Sequence, residues 1–165
     1  MLLTIFLAII ICAAVTLMLI AGVAFVQDVR MFSSAPKEAR EVLQPRNEEL
    51  FYGARTIGWV MMIISALVIL GAVVTAIWDG IRSGYSFAQF FVRFLSIFTA
   101  FKVYDRVFIE GFLLCKSHFF QYYYPEVEPV FNGRKYGFNI KSQLLRLLVI
   151  YPAVSALIAW ACTQF

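Results

Sequence analysis

The chain has 165 residues, of which 62% are hydrophobic and 15% charged, with a formal net charge of +4. A soluble globular domain is nearer 45–50% apolar and about 25% charged, so this composition excludes an ordinary water-soluble fold and calls for lipid around the chain. The basic excess fits membrane orientation and anionic headgroups rather than nucleic acid, because no basic stripe with aromatic platforms stands apart from the apolar segments.

Four apolar runs dominate the chain, over residues 2–26, 57–78, 87–108 and 144–160. A hydrocarbon core ~30 Å thick takes about 20 helical residues to cross, and each run is near that length. Lipid supplies the backbone with no hydrogen-bond partner, so such a run crosses as a helix. The expected fold is an all-α integral membrane bundle of four transmembrane helices, forming a single membrane domain over residues 1–165. The first run is too long for the apolar part of a signal peptide and no Lys or Arg precedes it, so a retained anchor is expected.

The loop over residues 28–55 carries Arg30, Lys37, Arg40, Arg46 and Arg55 against five acids. Within it Pro36-Lys37-Glu38-Ala39-Arg40 reads as the start of a short surface helix that Pro45 ends, with Lys37 and Glu41 at i,i+4 spacing. The second run carries small residues four apart, Gly71/Thr75 and Ala72/Ala76, a spacing that lets helix backbones approach and here is expected to pack neighbouring spans. A tight outer turn over residues 79–86 holds one base, Arg82, and Ser86-Phe87-Ala88-Gln89 reads as a capping box opening the third run. Trp59, Trp78 and Trp160 fall near the expected membrane boundaries, where amphipathic rings anchor helices.

The third run is the anomaly. Arg93, Lys102, Asp105, Arg106 and Glu110 sit in or beside it, and each would cost ~2.5–3.5 kcal/mol at a helix centre, so none is left bare in lipid. At 100° per residue Lys102, Asp105, Arg106 and Glu110 share an arc of about 140°, which Thr99 and Ser96 extend, while Arg93 points the other way. Lys102 and Asp105 have i,i+3 spacing, and Arg106 and Glu110 i,i+4 spacing, so the four charges can cancel locally. Two readings follow: a neutralised network that pins the inner end of this helix, and a binding pocket open to the cytoplasm. Arg93, in the outer half, either snorkels or pairs with Asp79.

After it, Cys115 to Pro129 includes Phe119-Phe120-Gln121-Tyr122-Tyr123-Tyr124, an aromatic density that suits an interfacial or re-entrant segment. Asn132-Gly133 between Val130-Phe131 and Arg134-Lys135-Tyr136 carries a hairpin signal, and Asn139 is a candidate cap for the fourth helix. His118, the single histidine, is a candidate acid or base beside Asp105 or Glu110; Arg134 and Lys135 are candidate contacts for an anion or headgroup. Cys115-x-x-His118 has the spacing of half a zinc site without a recognisable second half, and Cys12, Cys115 and Cys162 form no C-x-x-C pair, so neither metal nor cofactor is expected. No serine elbow, phosphate-binding loop or dinucleotide fingerprint occurs.

Counting Lys and Arg alone, the loops over 28–55 and 109–143 share the cytoplasmic side and both termini lie outside. Ile77-Trp78-Asp79-Gly80-Ile81-Arg82-x-Gly84, Phe112-Leu113-Leu114-Cys115-Lys116-Ser117-His118-Phe119-Phe120 with Tyr123-Tyr124-Pro125-Glu126, and Tyr136-Gly137-Phe138-Asn139-Ile140-Lys141 resemble segments of small, uncharacterised four-span bacterial membrane proteins. The resemblance implies a bacterial inner-membrane location and carries no activity. The functional expectation is a non-enzymatic accessory subunit or a binder of lipids or small molecules, with membrane lipids and a membrane-protein partner or further copies of itself as partners. The alternatives are an oligomeric transporter or channel using the charges of the third helix, and an embedded enzyme acting on a lipid or quinone-like substrate through His118.

Overall fold

The computed structural model describes residues 2–29, 37–44, 46, 49–131 and 140–164. Among these the chain is helical throughout its ordered elements, with no strand. Helix α1 covers Leu2–Val26, α3 Ala54–Arg82, α4 Phe87–Leu114, and α7 includes Gln143–Cys162. All four are long and apolar enough to cross a membrane. Between them lie the short helices α2, Lys37–Val42, α5, Phe119–Tyr123, and α6, Glu128–Phe131.

Sequence accounts for where these helices stop. Gly53, at φ +86°, precedes α3, and its N–H donates to Glu49 Oε2 at 2.9 Å. Gly84, at φ +64°, closes α3: the Tyr85 N–H bonds Gly80 O at 2.9 Å and the Gly84 N–H bonds Ile81 O at 3.1 Å. This is a left-handed helix cap, where the missing Cβ removes the steric penalty of positive φ. Asp79 and Gly80 are therefore helical, and the expected outer turn contracts to residues 83–86. At the start of α4 the Ser86 N–H donates to Gln89 Oε1 at 2.8 Å, the Gln89 half of a capping box.

Three of the long helices contain π-helical segments: Ala21–Val26 in α1, Asp105–Leu114 in α4, and Arg146–Ile150 in α7. The aromatic segment after α4 is built of α5, a 3₁₀ turn over Pro125–Val127, and α6. The flank Val130–Phe131 of the expected hairpin is thus helical, while Asn132, Gly133 and the proposed cap Asn139 lie outside the described residues, as do Pro36 and Pro45.

The chain divides into two compact units. The first comprises Met1–Ala13, Leu67–Asp105 and Asn139–Phe165. Its core is the packing of α4 on α7, where Phe90, Phe94 and Ile97 of α4 are buried, as are Ser155, Ala159 and Cys162 of α7. Phe98 and Tyr151 meet with ring centroids 5.6 Å apart. Gly80 is pressed against Phe90: a Cβ there would come within 2.3 Å of the ring. Of the small pairs in α3, Ala72 and Ala76 are buried, whereas Gly71 has open space around it and Thr75 turns its hydroxyl back to Gly71 O at 2.8 Å. The close-packing face is therefore the alanine one.

The second unit comprises Ala14–Ala66 and Arg106–Phe138. Val23 of α1, Ala39 of α2, Tyr124 and Val127 make its buried cluster, with Leu19, Leu43, Leu114, Phe119 and Phe120 packed around it. Gly58 of α3 sits against the end of α1, since a Cβ on it would lie 2.7 Å from Val26 Cγ2 and 2.8 Å from Phe25 Cβ. The aromatic segment is in this way part of a core, with Tyr124 wholly buried and Tyr122 exposed.

Candidate functional site

In the first unit, the N-terminal half of α4 carries a buried cation. Arg93 is 4% exposed, yet its guanidinium donates from Nη1 to Ala76 O at 2.8 Å, and from Nη2 to Asp79 Oδ2 and Tyr85 Oη, each at 2.7 Å. Its Cζ also lies 4.3 Å from the centre of the Tyr85 ring. Of the two expectations for Arg93, snorkelling and pairing with Asp79, the structure has the pairing. The Ala76 carbonyl, the Asp79 carboxylate and the Tyr85 ring all present negative charge, so burial is offset by three hydrogen bonds and one cation–π contact. The group acts as a structural clasp between the end of α3 and the start of α4.

Further along α4, Lys102 Nζ lies 2.6 Å from Asp105 Oδ2, within the first unit. Arg106 Nη1 pairs with Glu110 Oε2, within the second. All four side chains are at most about a quarter exposed. Each pair sums to zero charge, and local pairing is what lets a helix carry ions in apolar surroundings. Thr99 and Ser96 continue along α4.

A cavity of about 580 Å³ lies in the first unit, lined by Thr4, Ile5, Ala8, Ile9, Cys12 and Ala13 of α1 and by Ser96, Ala100 and Tyr104 of α4. Its walls are almost wholly apolar, with short side chains (alanine, serine, threonine, cysteine) leaving the space that longer ones would fill. None of the four paired charges is in its lining. The expected charged pocket and the observed cavity thus use different residues. The i, i+4, i+8 series Ser96, Ala100, Tyr104 and the matching small residues of α1 were the available signal for it.

His118 sits between α4 and α5 with φ +53°, exposed, and no hydrogen bond or ion pair joins it to Glu110 among the described residues. Burial raises the thiol pKa of the neighbouring Cys115, Glu110 raises it further, and Arg106 opposes them. Among the described residues no group of three or more His, Cys, Asp or Glu side chains is placed to hold a metal. Arg134 and Lys135 lie outside the described residues.

The fold and this geometry define a helical chain with four candidate membrane spans, an apolar cavity, and ion pairs closed within one helix. Comparison with family models, with curated proteins and with solved structures finds no match for it.

Proposed function

We propose that this chain is a multi-pass membrane protein that binds a lipid or a lipid-like small molecule, with the α1–α4 cavity of its first unit as the binding position. The observation that carries this reading is the cavity itself. At about 580 Å³ it falls in the ~300–1,000 Å³ range of small-molecule sites. Its lining is apolar and it lies within segments apolar enough to be bathed in acyl chains. An acyl or isoprenoid chain matches such walls, with Thr4, Ser96 and Tyr104 able to hydrogen-bond one polar group.

The Lys and Arg distribution supports a placement with both termini outside and the loops over 28–55 and 109–143 in the cytoplasm. The segment resemblance supports a bacterial inner membrane. An accessory role in a larger membrane assembly is compatible with the same cavity, which a partner's lipid or cofactor tail would occupy.

Native mass spectrometry from mild detergent tests the reading. The wild-type chain is expected to carry lipid adducts through detergent exchange, and Ala100→Trp, which fills the cavity, to lose most of them. Equal retention by the two proteins, both folded by circular dichroism, overturns it.

A further inference from the structure

The second unit holds a smaller cavity, about 280 Å³, of different character. Val26, Gln27, Asp28 and Val29 line it from the end of α1, Arg46 from the loop, and Arg55 and Trp59 from the first turns of α3. Because α1 ends where the loop begins and α3 starts where it finishes, the cavity sits at one end of two candidate spans. Its walls are built firmly. Gly58 lets the α3 backbone meet Val26 directly, and Phe25 stacks edge-on to Phe51 at 6.2 Å. Gln27 takes a left-handed conformation, φ +52° and ψ +34°, with its N–H bonded to Gly22 O at 2.9 Å. That conformation is unfavourable for a residue with a Cβ, and it turns the chain so that Asp28 and Val29 face the same space as the arginines.

The charges differ in how far they are already committed. Arg46 Nη2 is bound to Glu126 Oε2 at 2.7 Å and reaches Tyr123 O at 3.4 Å, and its Nε is buried without a hydrogen-bond partner among the described residues. Arg55 donates to Arg46 O at 3.3 Å, and no described carboxylate lies within 4.0 Å of it. The lining therefore presents one guanidinium with no carboxylate beside it among the described residues, a second one paired with Glu126, the Asp28 carboxylate and the Trp59 indole. A simple anion would meet Arg55 and be opposed by Asp28. A zwitterion satisfies both signs at once: phosphate oxygens accept from Arg55 and Arg46, and an ammonium group is drawn to Asp28 and to the Trp59 ring.

We propose that this cavity binds the headgroup of an amine-bearing zwitterionic phospholipid, the phosphate on Arg55 and Arg46 and the amine on Asp28 and Trp59. The site shares no lining residue with the acyl-chain cavity.

The test is native mass spectrometry of the full chain in mild detergent with phosphatidylethanolamine or phosphatidylglycerol added singly. Wild type is expected to retain the ethanolamine lipid preferentially. Arg55→Gln is expected to weaken that retention about tenfold, the scale of one charge-assisted hydrogen bond. Asp28→Asn is expected to abolish the preference while leaving phosphatidylglycerol bound. Circular dichroism confirms that each variant is folded, and Trp59→Leu supplies a second, uncharged route to the same loss. Unchanged retention of the ethanolamine lipid in folded Arg55→Gln overturns the proposal, as do an unchanged headgroup preference in folded Asp28→Asn and Trp59→Leu and a wild-type preference for phosphatidylglycerol. Binding of soluble phosphoethanolamine with no retention of the lipid overturns the membrane source. Ala100→Trp lowers total lipid without altering preference, so failure here and failure of the acyl-chain cavity are read separately.

Discussion

Arg93 shows how one side chain decides whether an ion is a liability or a fastening. Its guanidinium is shut away from solvent, while Asp79 keeps its carboxylate about one-third exposed. Asp79→Asn removes the counter-charge and leaves the cation with neutral acceptors only, Ala76 O, Tyr85 Oη and the amide oxygen of the new side chain. Breaking a buried pair in this way costs ~3–5 kcal/mol, and water at the exposed carboxylate side places this case near the lower end, about 3 kcal/mol. Thermal unfolding in detergent is expected to show that loss, with Asp79→Glu recovering much of it; an unchanged midpoint for Asp79→Asn contradicts the clasp. Tyr124 is a second case, outside the spans. Burial pushes its phenol up to about 12, with Arg46 pulling it down and Glu126 and Asp28 pushing it up. The usual value is near 10, so the folded state holds this proton more tightly than the unfolded one. Its contribution to stability is intact below pH ~10 and is lost as the pH climbs toward the folded value. Denaturation midpoints measured from pH 9 to 12 are expected to fall more steeply for wild type than for Tyr124→Phe; parallel slopes contradict it.

At the scale of the element, α4 carries the most chemistry. Its charges were legible because ions in an apolar run stand out, and the i,i+3 and i,i+4 spacings of Lys102 with Asp105 and Arg106 with Glu110 fit the ion pairs that form. The π-helical stretch over Asp105–Leu114 was not legible, since its wider turn depends on how a helix is packed rather than on a residue pattern. Pairing within one helix makes a clear prediction. Asp105→Leu alone leaves Lys102 unpaired in apolar surroundings and is expected to lower stability and membrane insertion markedly. Lys102→Leu with Asp105→Leu, which removes both charges, is expected to restore much of both, measured as detergent-solubilised yield and unfolding midpoint. If the double variant is as impaired as the single one, the pair does more than neutralise itself. The hairpin reading failed at its first flank for a related reason: Val130 and Phe131 suit a strand locally, but they continue from Pro125–Val127 into helix, and Val130 packs beside Tyr124 and Val127.

Across the whole molecule, the distribution of exposed side chains carries the class. The bulky residues Leu67, Leu70, Val74, Leu148, Leu157 and Trp160 are all exposed on helices long enough to cross a bilayer. Large apolar side chains facing outward along such helices are what a lipid solvent requires and what water would penalise. The aromatic segment after α4, in contrast, puts its apolar weight inward, on Val23 and Ala39.

Hydropathy alone determined that four helices of bilayer length exist and where they run to within about six residues, because the thickness of a lipid core and the backbone's need for internal hydrogen bonds leave a chain of this composition no other structure. Local spacing likewise determined which charges could cancel along α4. Only the tertiary structure decided that Arg93 turns inward to Asp79 and Tyr85, that the open space beside α4 is apolar and avoids the charges, and that Arg46, Arg55, Asp28 and Trp59 share one cavity. Those residues are brought together by backbone approach at Gly58 and by the left-handed turn at Gln27, which are properties of packing between segments distant in the chain and leave no periodic trace within any one of them.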